Sequence, residues 1–147
     1  MIEEPIIKFK RLHPDAHVPK YMTDGAAGLD LCALDYVEIP ASHRSLIKTG
    51  LAVEIPPGYE GQIRSRSGMV LKHGICVANA PGTIDSDYRG EIKVILENRT
   101  NNLAFTITPG MRIAQLVICP VARATIQMTE ALTKTGRGSG GFGHTGT

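Results

Sequence analysis

Three groups of residues in this 147-residue chain are equipped for chemistry. The first is Arg64-Ser65-Arg66-Ser67-Gly68. Two guanidinium groups, two hydroxyls and a glycine at an expected helix start make a surface suited to phosphate oxygens. The second runs from Asn79 to Glu91 and combines Asp85 and Asp87 with an amide and Tyr88. A carboxylate beside a phosphate site can serve as general base for a water. Asn79 can read the edge of a base, and Tyr88 can pack on a sugar. The third is the stretch from Thr135 to Thr147, in which six of thirteen residues are Gly and no core pattern survives. Such a segment is a flexible tail by itself. Yet it carries Arg137, Phe142 and several hydroxyls, a mixture suited to ordering over a phosphorylated ligand. Taken singly, the first group also fits a solvated turn and the second a polar hairpin.

Other short patterns do not hold up. Gly136-Arg137-Gly138-Ser139-Gly140-Gly141 matches the dinucleotide-binding glycine pattern, but only six residues follow, too few for the helix that would hold a pyrophosphate. Ser45-Leu46-Ile47-Lys48 and Lys48-Thr49-Gly50 mimic two β-lactamase motifs but would need Lys48 in two separate places. His13 and His17 have a helical metal-ligand spacing, which Pro14 and Pro19 oppose. One Arg in the tail is too few for an RNA-binding Arg/Gly segment. Asn98-Arg99-Thr100 matches a glycosylation acceptor, which means nothing without a secretion signal. Cys32, Cys76 and Cys119 are odd in number and widely spaced. They suggest neither a zinc site nor a disulfide framework, but three buried thiols in a reducing cytosol.

The elements that must position these groups read as short and β-rich. Runs expected to be strands are 6–9, 29–33, 36–39, 45–47, 51–55, 60–63, 75–77, 92–97, 104–107, 113–118 and 124–128. Pro and Gly punctuate them, as at Pro40, Pro56-Pro57-Gly58, Pro81-Gly82 and Pro109-Gly110. That pattern predicts an all-β sandwich, jelly roll or barrel. One short helix is expected over 67–73, with Ser67 as its N-cap. The length fits one domain, 1–134, followed by the Gly-rich arm, 135–147. Apolar residues make up 42% and charged residues 20%, an ordinary globular balance. A net charge of +2 does not call for nucleic acid or acidic membranes as partners. No apolar run approaches a membrane span. The acidic start, Met1-Ile2-Glu3-Glu4-Pro5, lacks the layout of a signal peptide, so a cytoplasmic location is expected.

Together the groups resemble the five ordered motifs of the trimeric dUTP pyrophosphatase family. The first is matched by Ala27-Gly28-Leu29-Asp30-Leu31-Cys32-Ala33, and the second by Arg66-Ser67-Gly68-Met69. The third is matched through Asn79, Gly82, Ile84-Asp85 and Tyr88-Arg89-Gly90-Glu91. The fourth is Arg112-Ile113-Ala114-Gln115-Leu116, and the fifth Arg137-Gly138-Ser139-Gly140-Gly141-Phe142-Gly143. One motif alone is weak; five in order with fitting separations are specific.

The resemblance implies a small jelly-roll-like β domain, a homotrimer with shared active sites, and hydrolysis of dUTP to dUMP and pyrophosphate. By the same likeness Asp85 is the general base for attack on the α-phosphorus. Asn79 and the backbone of Thr83, Ile84 and Lys93 would hold uracil, and Tyr88 would pack on deoxyribose and exclude a ribose 2′-hydroxyl. Arg66, Ser67 and Gly68 would contact the phosphates and Gln115 the α-phosphate region. Asp30 would support the magnesium–phosphate geometry indirectly. Mg2+ would be held mainly by phosphates and waters. Phe142, with Gly143 beside it, would cover the base, and Arg137 with Thr145 would bind the γ-phosphate end. Departures are His144 where Ser is common, Ser65 where Pro is common, and Val70 where Ala is common. The alternatives are a dCTP deaminase-like enzyme, which lacks the fifth motif, and a non-catalytic nucleotide-binding regulator, which loses the base or the tail.

Overall fold

A computed structural model describes residues 4–146; Met1-Ile2-Glu3 and Thr147 lie outside the described residues. Two four-stranded antiparallel sheets make the body. One places β1 (Lys8–Arg11), β4 (Arg44–Glu54), β8 (Glu91–Asn98) and β6 (Ile75–Val77) side by side in that order. The other orders β2 (Leu29–Cys32), β10 (Arg112–Pro120), β5 (Tyr59–Arg64) and β7 (Gly82–Ile84). A ribbon of β3 (Val37–Ile39) and β9 (Phe105–Ile107) completes the strands.

Alternation builds the core. In β8, Ile92, Val94, Leu96 and Asn98 point inward while Lys93 faces out. Leu31, Ile63, Ile84 and Leu116 of the second sheet join Ile47, Val53, Ile75 and Val77 of the first in a single apolar cluster. Asn98, a buried amide on β8, donates from Nδ2 to the carbonyls of Ile39 and Leu103, which offsets the cost of burying it.

Several local expectations are revised. The runs 45–47 and 51–55 belong to one strand, β4, which continues through a bulge between Lys48 and Ala52. Thr49 Oγ1 donates to the Ile92 carbonyl at 2.6 Å, and the Gly50 N–H donates to Glu91 Oε1 at 3.0 Å. Residues 48–50, which fall between the two expected runs, are thus bonded inside the sheet. The segment 82–84, read as turn, is the edge strand β7, paired with β5. No strand forms over 124–128; every residue from Val121 to Ser139 is exposed. Helix α1 spans Ser67–His73 as expected, but its N-cap is Arg66, which makes no side-chain capping bond. It closes on Gly74 in the left-handed region, φ 66°, a conformation glycine adopts without a Cβ penalty. Of the three thiols only Cys76 is buried; Cys32, on the edge strand β2, and Cys119, near the end of β10, are half-buried. Among the described residues no helix is long and apolar enough to cross a membrane.

Candidate active site

The second chemical group folds into one cavity of about 320 Å³. Strand β7 and the turn after it supply Gly82, Thr83, Ile84, Asp85 and Tyr88; β8 supplies Glu91, Ile92 and Lys93; Asn79 enters from the end of β6. The floor is apolar, from Ile63, Val77, Ile84 and Val94. The volume lies at the small end for ligand sites, so it takes part of a ligand rather than a whole nucleoside triphosphate. The Ala80–Pro81 peptide is cis in the turn that carries Asn79 to β7. A second, wider recess of about 640 Å³ lies on the other side of Asp85, against Glu60, Asp87 and Arg123. Asp85 is exposed, and among the described residues its carboxylate has no hydrogen-bond or ion-pair partner.

Tyr88 is held tightly although its side chain is on the surface. Its N–H donates to the Asp85 carbonyl at 3.1 Å, and its Oη donates to the Glu91 carbonyl at 2.9 Å. The ring therefore folds back across the hairpin that carries Asp85. Glu91 also accepts the Gly50 N–H and lies 3.9 Å from Lys93 Nζ, which ties the β4 bulge to the cavity wall.

The phosphate-type residues form a separate cluster on the second sheet and the β5–α1 loop. Register places Gln115 of β10 between Asp30 of β2 and Arg64 of β5. Gln115 Nε2 donates to the Ser65 carbonyl at 3.1 Å. Arg66 donates from Nη1 to the Arg112 carbonyl at 2.9 Å and lies 3.9 Å from Asp30 Oδ1. Arg112 donates to Asp30 Oδ2 at 3.1 Å. Asp30 is thus engaged by two guanidiniums, whereas among the described residues the Asp85 carboxylate has no partner, which leaves both its oxygens free to accept from a water. Ser67 and Gly68 begin α1, where a helix cannot satisfy its own N–H groups, and a side chain at Gly68 would meet nothing within 4 Å.

Two links join these clusters from behind: Ser65 Oγ accepts the Val77 N–H at 2.8 Å, and β5 pairs with both β10 and β7. No residue of the phosphate-type cluster lines the 320 Å³ cavity. Nor does the tail. Phe142, Thr145 and Arg137 are exposed, and Arg137 Nε donates to the Gly140 carbonyl within its own segment. Phe142 has φ 51°, and Gly143 follows at φ 85°. Within one chain the hairpin cavity, the cation cluster and the tail therefore do not meet at one point.

Burial raises the pKa of the Cys32 thiol, and neighbouring Asp30 adds to the rise, against the opposing pull of Arg112 and Arg66. Cys32 lies opposite Arg112 across the β2–β10 pair, so it borders the cation cluster.

Sequence reasoning gave no separate role to Gly28, Gly90, Glu91 or Arg112. Arg112 could have been suspected from its place three residues before Gln115. The two glycines enter only as members of the matched motifs; what each leaves room for, Gln115 for Gly28 and the Tyr88 ring for Gly90, is visible only in the fold.

The fold and the half-sites define a small antiparallel β sandwich with a polar hairpin cavity and a cation-lined loop. A sequence model of the dUTPase family matches residues 14–146, and the chain belongs to that family. It is 56% identical over 133 residues to the deoxyuridine 5′-triphosphate nucleotidohydrolase of Anaeromyxobacter sp. (strain Fw109-5), covering 90% of each chain. A protein of the same name from Nautilia profundicola is 56% identical over 140 residues, 95% of this chain and 98% of that one. Among solved structures, the dUTPase of Staphylococcus bacteriophage 80alpha with dUpNHpp superposes with TM-score 0.88 at 27% identity, over 97% of this chain and 99% of the other. A mutant dUTPase of phage phi11 of S. aureus, described with a coordinated structural Mg(II) ion, shares the fold at TM-score 0.79 and 24% identity, over 88% of this chain and 99% of that one.

Proposed function

We propose that this protein hydrolyses dUTP with water, giving dUMP and pyrophosphate, and so lowers dUTP while supplying dUMP for thymidylate synthesis. The observation that carries the reading is the uncommitted Asp85 carboxylate at the mouth of a base-sized cavity that also holds Asn79, Thr83, Ile84, Tyr88 and Lys93. The edge strand β7 has unpaired backbone groups on its open side, which suits reading the polar edge of uracil. A narrow hairpin has little room for a thymine methyl. Asp85 takes a proton from the attacking water, which adds to the α-phosphorus as pyrophosphate departs.

Arg66, Ser67, Gly68 and Gln115 are assigned to the phosphates, with Asp30 acting through Arg66, whose guanidinium it faces. Among the described residues no group of three acidic, His or Cys side chains could hold a metal. The ion assigned to the reaction is Mg2+ bound mainly through the substrate's phosphates and waters, with Arg66, Ser67 and Gln115 placed to orient those phosphates. Magnesium, when bound, offsets phosphate charge; the chain's residues orient the phosphates and hold the water's proton.

A homotrimer with shared sites accounts for the separation of the parts. The exposed stretch beyond β10 alternates Ala124, Ile126 and Met128 with Thr125, Gln127 and Thr129, a half-buried strand pattern with no pairing partner among the described residues. Arg137, Phe142, Gly143 and Thr145 can then cover a cavity elsewhere in the assembly. Three unpaired thiols fit a reducing, cytoplasmic setting.

The test is Asp85→Asn. Fold and dUTP binding should persist while turnover falls by ~10²–10⁴-fold, the usual loss for a general base. Near-normal pyrophosphate release would remove Asp85 from the role. Ammonia release from dCTP would identify a deaminase instead.

A further inference from the structure

The glycine at position 90 calls for an explanation that its backbone does not give. Its φ is not in the left-handed region, unlike that of Gly50, Gly58 or Gly74, so the main chain there would accept alanine. What excludes a side chain is Tyr88. A Cβ built on Gly90 would lie 2.6 Å from Tyr88 Cζ and 3.0 Å from Cε2, and nearer still to Oη. The three nearest atoms all belong to that one ring. Gly90 is therefore the surface on which the Tyr88 ring lies.

The ring has one tether at its far end, Oη to the Glu91 carbonyl at 2.9 Å, and otherwise it is 44% exposed. An added methyl would not meet a packed core that resists it. It would lift the ring off the hairpin, break the Oη tether and open the cavity edge beside Asp85, since Tyr88 and Asp85 line that edge together.

We propose that Gly90 is a specificity-determining positioning residue: by leaving space under Tyr88, it lets the ring lie close against the hairpin and shut out nucleotides that carry a 2′-hydroxyl. The inference rests on the assignment of Tyr88 to the sugar. Gly90 touches no substrate; it sets the height of the ring that does. Bulk at position 90 relaxes sugar choice and leaves base choice alone, because the three atoms it meets first all belong to Tyr88 and none to Asn79, Thr83 or Lys93.

The experiment is a double-mutant cycle on the full-length protein, with Gly90→Ala, Tyr88→Ala and the pair, each assayed for kcat/KM with dUTP, UTP and dCTP and for melting temperature. Gly90→Ala should lower the dUTP-over-UTP preference by about tenfold or more, the scale on which added steric bulk changes discrimination. The dUTP-over-dCTP preference should not move. In the Tyr88→Ala background the second substitution should add nothing to the loss, because the ring it displaces is gone. Tyr88→Phe keeps the ring, removes the tether and should fall between the parent and Gly90→Ala, which gives a readout even if alanine at 90 impairs folding. A Gly90→Ala enzyme with the parent's sugar preference, beside a Tyr88→Ala enzyme that has lost it, overturns the proposal and leaves the Tyr88 assignment standing. Equal effects of Gly90→Ala in both backgrounds also overturn it. Unchanged sugar preference in Tyr88→Ala removes the Tyr88 assignment, and the proposal with it.

Discussion

Replacing Gly28 by alanine should damage the phosphate cluster without touching any of its charges. Gly28 precedes β2 and is buried, and its φ lies outside the left-handed region, so alanine suits the backbone there. The new Cβ would sit 2.7 Å from Gln115 Oε1 and 3.0 Å from Gln115 Cβ. The amide end can swing, but Cβ cannot: Gln115 is held in β10 by strands on both sides, opposite Asp30 and Arg64. Overpacking of this kind costs ~1–3 kcal/mol. Swinging the amide also breaks its bond to the Ser65 carbonyl, worth about 1 kcal/mol net. The sum is roughly 2–4 kcal/mol, which at ~2–4 °C per kcal/mol for a chain of this size lowers the melting temperature by about 4–16 °C. With the Gln115 amide displaced, activity should fall as it does in Gln115→Ala. Thermal melting and steady-state pyrophosphate release from dUTP would be compared for the parent, Gly28→Ala, Gln115→Ala and the double variant. Gln115→Ala keeps its Cβ, so the double variant should recover only the part of the melting loss caused by the amide. A Gly28→Ala protein that melts within about 1 °C of the parent and turns over dUTP normally would show that the β2–β10 edge can yield, and the steric argument would be wrong.

Three further outcomes are expected. A chain ending at Thr135 should melt like the parent, because the tail contributes no buried side chain, yet hydrolyse dUTP far more slowly; Phe142→Ala should lose less, with stacking worth ~1–3 kcal/mol. Sedimentation should give about three times the 15.8 kDa chain mass, and an active monomer would refute the shared site. Burial raises the thiol pKa of Cys32 and of Cys76 above the unfolded value, so the unfolded chain loses those protons first. The stability they contribute is complete below the ordinary thiol pKa and declines as pH rises through the folded values, which denaturant titrations at neutral and alkaline pH, with and without Cys→Ser substitution, would detect.

The sequence determined the strand pattern over most of the body, because inward Ile, Val and Leu alternate with polar residues and Pro–Gly pairs mark the turns. It also determined α1, the cluster around Arg66 and the polar hairpin around Asp85, since residue types in ordered motifs suffice for those. It misled where polar residues find partners far along the chain. Thr49 and Gly50 fall between two expected strands, yet they are bonded to Ile92 and Glu91 across a sheet. Thr83 reads as turn but lies on an edge strand. It also promised a strand over 124–128, whose alternation is real but which pairs with no strand among the described residues. Only the tertiary structure distinguished the two carboxylates, by committing Asp30 to Arg112 and Arg66 and leaving Asp85 open. Only it gave a reason for Gly28 and Gly90, because a missing side chain has meaning solely through the atoms that fill its place, and those atoms are brought there by the fold.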